Sequence, residues 1–130
     1  MMDLSVSNTL LEALGIEIVE CNQSRCIATM PVDHRTKQPF GLLHGGASVA
    51  LAETVASMGA AAHLDLTQQV CSGIEINANH LKSVRDGVVT ATAVPVHVGR
   101  RTMVFQIDIK DDRDQHICTS RCTLAVIDRI

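Results

Sequence analysis

Apolar and polar positions divide the chain into one long apolar run and several shorter alternating ones. Residues 47–62 contain no proline, are dominated by Ala, Val, Leu and Met, and carry Glu53 as their sole acid, which predicts a helix. At ~1.5 Å per residue that helix would reach roughly 24 Å, about the span of a small domain. Apolar side chains lie nearly all round it, so it is expected to be enclosed by the fold. Ahead of it, the polar stretch 33–40 forms a loop that leads through His44-Gly45-Gly46 into the helix.

Upstream, Ser7-Asn8-Thr9 offers cap residues before Leu10, Leu11 and Leu14, and Gly15 closes that run as a short helix. Residues 16–20 and 25–31 read as strands joined around Asn22-Gln23-Ser24. Downstream lie four β-rich runs, 70–81, 88–98, 102–110 and 115–127. Turns at Arg85-Asp86-Gly87, Gly99-Arg100-Arg101 and 111–114 separate them, and Pro95 marks an irregularity or an edge. Hairpin connections among these four imply antiparallel pairing, and a single apolar helix has to be covered by the sheet. The expected fold is α+β, a curled antiparallel sheet wrapped around one long central helix. Nothing reads as a linker or repeat, so residues 1–130 are expected to form a single domain.

Composition narrows the function. A net charge of −3 with two Phe and no Tyr or Trp argues against nucleic acid as a partner. No uninterrupted apolar stretch reaches the ~20 residues needed to cross a bilayer, and the N-terminus lacks a signal-peptide pattern. Five cysteines without a CxxC pair suit small apolar positions in a reducing compartment, so the expected location is cytoplasmic. No histidine–acid spacing suggests a metal, and neither a metal nor a cofactor is expected. Among the six histidines only His44 has a strong functional context; His34, His63, His97 and His116 are expected at the surface or in turns.

The element order, together with PFGLLHGGASVALAETVAS and the later GIEINANHLKSVR, resembles the hotdog-fold acyl-CoA thioesterases. The most similar branch hydrolyses aryl-CoA or aryl-carrier-protein thioesters in menaquinone and enterobactin biosynthesis. The resemblance implies a catalytic set by residue type. Glu53 is the nucleophile or general base, Gly45 donates its N–H to the thioester carbonyl, His44 and Gln38 position that carbonyl, and Ser57 helps hold water. It also implies a homodimer that pairs into a homotetramer, with His44 and Glu53 of one site coming from different chains. An open edge and an incompletely covered helix in a lone chain point the same way. The chemistry suits these types: charge develops on the carbonyl oxygen, and a fixed N–H at a helix start stabilises it.

Structural explanations exist for each residue. Gly45-Gly46 could be only a tight junction, Glu53 could pair with Arg121 or face solvent, and Ser57 could bond back to its own helix. A second cluster, His80, Lys82, Ser83 and Arg85 with Arg100 and Arg101, reads either as a solvated turn face or as a grip for the phosphates of CoA. Two other functions fit the fold: an acyl-CoA-binding domain without turnover, and an enoyl-thioester hydratase or dehydratase. The acid placed nine residues after His44 favours the thioesterase.

Overall fold

A computed structural model describes residues 4–130. Its elements in order are α1 (Leu10–Leu14), β1 (Glu17–Cys21), β2 (Cys26–Pro31), α2 (Gly45–Ala61), β3 (Gln69–His80), β4 (Val88–Val98), β5 (Thr102–Lys110) and β6 (His116–Asp128). The strands make one antiparallel sheet in the order β1-β2-β4-β5-β6-β3, and α2 packs on it. Pairing is antiparallel throughout, as the alternating pattern requires.

Helix and sheet meet through small residues. Ala28, Ala91 and Ala93 on β2 and β4 are fully buried, as are Ala52, Ala56 and Ala60 of α2. Larger side chains fill the space beside this contact, with Phe105, Ile107 and Ile109 of β5 and Leu51 of α2 all buried. Each contributes on the order of 2 kcal/mol through its removal from water. Phe105 packs against Gly59, where an added Cβ would stand 2.9 Å from its ring. The same ring meets His63 in an edge arrangement; His63 lies half-buried in the turn that follows α2, as expected, with an Nε2 that has no partner among the described residues.

Two expectations need correction. β3 does not form a hairpin with β4; it lies at the far edge beside β6. Reaching β4 means passing three strand spacings, about 14 Å, too far for a tight turn. Residues 81–87 make that passage across the end of the sheet, with Leu81 N bonded to Ile117 O and Leu43 N to Val84 O. Nor is α2 enclosed on all sides; the incomplete cover expected of a lone chain is what is found. Its core-facing side is buried, but Ala50, Glu53, Thr54, Ser57 and Met58 recur at helical spacing and are only half-buried. One sheet can curl over one side of a helix, and this stripe faces away from it.

Pro95 sits in a central strand at an irregularity between Pro95 and His97, not at an edge. Among the described residues all five cysteines are free, and no helix is long and apolar enough to cross a membrane.

Candidate active site

His44 builds the entrance to α2. It takes the N-cap position with extended backbone (φ −69, ψ 130), and its Nδ1 accepts the Gly46 N–H at 2.7 Å. That bond leaves the proton of the neutral ring on Nε2, as a donor. The His44 carbonyl accepts the N–H groups of Ala47 and Ser48 at 3.0 and 3.2 Å. The first N–H groups of a helix have no intrahelical acceptor, and that of Gly45 has no acceptor among the described residues.

Both glycines make room for imidazole rings. A Cβ on Gly46 would stand 2.9 Å from His44 Nδ1, and one on Gly45 would stand 2.9 Å from His80 Nε2. His80, at the end of β3, therefore covers the side of Gly45 and shares a cavity of about 300 Å³ with Gly45, Gln38, Ser48, Lys82 and Ser83. Gln38 is held from within its loop. Its Oε1 accepts Phe40 N at 2.6 Å and Leu42 N at 3.4 Å, which leaves the amide NH₂ to donate outward.

Thr36, unremarked in the sequence, ties this loop down. It is 1% exposed; its hydroxyl donates to Pro31 O at 2.8 Å and accepts Asp33 N at 3.2 Å. Its carbonyl receives the His44 N–H at 2.8 Å, so the end of β2 is linked directly to the helix cap. Beside it, side-chain and backbone hydrogen bonds from Arg35 hold the Asp33 carboxyl down at about 2.

Glu53 lies elsewhere on the helix. It lines a cavity of about 290 Å³ with Leu10, Leu11, Ser57 and Met58, between α1 and the half-open stripe of α2. Its carboxylate makes no hydrogen bond or ion pair among the described residues. Arg121 is no partner, because it projects from the opposite face of β6, where its Nη2 donates to Gln106 Oε1 at 3.5 Å. Its neighbour Cys122 does face the helix. Burial pushes that thiol up to about 12, with the charge of Glu53 adding to the effect. A Cβ on Gly73 of β3 would overlap Glu53 Oε2, so the carboxylate lies over the β3–β6 seam. Thr54, not Ser57, bonds back along the helix, to Ala50 O at 2.7 Å.

Within one chain the predicted catalytic residues fall into two groups. Gln38, His44 and Gly45 gather at the helix entrance, Glu53 and Ser57 at mid-helix, and the groups are separated by roughly 12 Å along the axis. The basic cluster also divides. Lys82 and Ser83 border the entrance cavity, and Arg85 borders a neighbouring one beside Asp111 and Asp112. Arg100 and Arg101 lie at the other end of β4, an 11-residue strand extending roughly 30 Å. Clusters able to hold a metal are absent among the described residues.

Known proteins share this architecture. The profile of the thioesterase superfamily matches residues 40–118. The chain is 65% identical over 124 residues to a Bacillus subtilis (strain 168) protein named as an esterase, ComA2, covering 95% of this chain and 98% of that one. It is 47% identical over 117 residues to a 1,4-dihydroxy-2-naphthoyl-CoA hydrolase of Listeria monocytogenes serotype 1/2a, covering 90% and 94% of the two. A crystal structure of SAV0944 from Staphylococcus aureus superimposes with a TM-score of 0.90 at 45% identity, covering 92% of this chain and 99% of that one. SAV0944 is represented by two mutants, one with alanine for a glutamate and one with alanine for a glutamine. The interval between those two positions equals that between Gln38 and Glu53.

Proposed function

The chain belongs to the thioesterase superfamily, with its hotdog fold and its thioester-hydrolase chemistry, and on that premise we propose that it hydrolyses an aryl thioester of CoA or of a carrier protein. The products are the free acid and the thiol. Gly45 N–H, with the amide of Gln38 and Nε2 of His44, receives the carbonyl oxygen as it gains charge. Glu53 either takes a proton from water as water attacks the carbonyl carbon, or attacks that carbon itself to give an anhydride that water then opens. Ser57 holds the water. The C–S bond breaks in either route, and the thiolate leaves to be protonated.

One observation carries the reading: the Gly45 N–H has no acceptor among the described residues and borders a cavity that Gln38 also lines. The matching interval between the substituted Gln and Glu of SAV0944 supports the assignment of Gln38 and Glu53. The aryl group is supported by the apolar cavity beside Glu53 and by the substrate named for the Listeria hydrolase. For CoA esters, His80, Lys82, Ser83 and Arg85 form the phosphate grip, with Arg100 supplied from a neighbouring chain or playing no part.

A homodimer completes the site. The roughly 12 Å between Gly45 and Glu53 on one straight helix prevents both from meeting one carbonyl. β3 is a 12-residue edge strand whose outer side is unpaired among the described residues, so a second copy can both close the edge and supply the missing half. Two such dimers pair as a homotetramer, each chain contributes one domain, and the setting is cytoplasmic.

The test is thiol release from hydroxynaphthoyl, benzoyl, phenylacetyl and medium-chain esters, each on CoA and on a carrier protein. Aryl esters are expected to turn over fastest, and Glu53→Gln is expected to lower kcat by about 10³-fold with the fold preserved. Near-normal turnover by that variant would refute the mechanism, and binding without thiol release would refute the enzyme.

A further inference from the structure

Gly73 lies on β3 where the pairing with β6 slips: Gly73 faces Leu124 and Glu75 faces Thr123, leaving Ile74 between them unpaired. Ile74 is correspondingly thrown outward, 61% exposed. A Cβ built on Gly73 would overlap Glu53 Oε2 and stand 3.2 Å from its carboxyl carbon. The carboxylate therefore fills the space that any other residue's side chain would occupy. Two neighbours are consistent with this location. Cys71 Sγ reaches Ser57 O at 3.4 Å, bringing β3 onto the helix just past Glu53. Cys122, inward-facing on β6, feels the Glu53 charge.

We propose that Gly73 is a positioning residue, whose missing side chain forms the notch in β3 that seats the Glu53 carboxylate. The inference rests on the role given to Glu53 above. A backbone notch suits this acid because no hydrogen bond among the described residues orients it, so shape alone limits its rotamers. Gly73 is not among the described glycines with positive φ, so its backbone conformation is open to alanine. The overlap falls on the far end of a flexible side chain, and Glu53 borders an open cavity into which it can swing. Substitution is thus expected to leave the fold alone and move the acid.

Gly73→Ala is measured beside Glu53→Gln, Glu53→Asp and the double variant Gly73→Ala/Glu53→Asp, by steady-state thiol release and thermal unfolding. Expected are a fall in kcat of about 10- to 100-fold with KM little changed and a thermal midpoint within about 3 °C of the parent. Adding Gly73→Ala to Glu53→Asp should cost little more, since the shorter acid no longer fills the notch. Wild-type kcat in Gly73→Ala, losses that multiply in the double variant, or a collapsed thermal midpoint would each overturn the notch while leaving Glu53 catalytic. Full activity in Glu53→Gln would instead remove the role of Glu53, and the notch with it.

Discussion

The entrance of α2 and its midpoint, about two turns further along, differ in how their reactive groups are held. At the entrance, backbone supplies the proposed oxyanion donor, and a chain of bonds fixes its surroundings: Thr36 to His44, His44 to Gly46, Gln38 to its own loop. At the midpoint, a single flexible carboxylate rests on a half-open face, limited by packing against Gly73 and bonded to nothing among the described residues. The contrast matches the two tasks. In the proposed mechanism an oxyanion donor gains from being immobile before the reaction starts, whereas an acid that would act on a substrate held by a second chain gains from reach.

The largest expected effect would break the contrast outright. Glu53→Gln and Gly45→Pro chains, each nearly inactive alone, should recover about a quarter of parental activity when unfolded and refolded together, since half the dimers then hold one intact site of two. A mixture as inactive as its components would place both groups of a site in one chain.

Next in size is the donor itself. Gly45→Pro removes the N–H yet suits the first turn of a helix, and His44 already has the extended backbone that a following proline requires. The expected loss in kcat is about 10²- to 10³-fold. Gly45→Ala keeps the N–H but crowds His80, and about tenfold is expected there. Equal losses in the two variants would reduce Gly45 to a steric role.

A smaller effect separates rigidity from chemistry. Thr36→Val removes a buried hydroxyl that makes two hydrogen bonds, and should cost about 1–3 kcal/mol in denaturant unfolding. Thr36→Ser should restore most of it. A neutral Thr36→Val would mean the loop is held by its backbone bonds alone.

The smallest concerns pH. The Asp33 carboxyl is held at about 2 against its ordinary 3.8, so the ion pair with Arg35 adds stability above pH 4 that is lost as pH falls toward 2. Asp33→Asn should therefore be slightly less stable than the parent at neutral pH, with the gap closing below pH 3 in acid-unfolding curves. A constant gap across that range would assign the effect to the loop hydrogen bonds.

Much of this was legible in the order of residues. The apolar run with a lone acid marked α2, His44-Gly45-Gly46 marked its start, and period-two alternation marked the strands to within a residue at most ends. Resemblance to known thioesterases supplied the roles of Gln38, Gly45 and Glu53, which residue types alone leave open. Other features were not legible, for identifiable reasons. Placing β3 at the far edge depends on pairing with β6, through partners 38 to 59 residues apart in the chain. Thr36 looks like any loop threonine until its hydroxyl meets Pro31 O. Gly73 offered the one missed signal, since glycine inside a strand marks a bulge or a close approach.

Sequence by itself determined what is local: which segments coil or extend, where the helix begins, and which atoms are available to react. Only the tertiary structure decided what lies next to what. It turned Arg121 away from Glu53, set Gly73 beneath it and left one stripe of α2 half-uncovered. The physical reason is that helices and strands follow from neighbours a few positions apart, while a site is assembled by contacts whose partners the chain brings together only when the sheet closes on the helix.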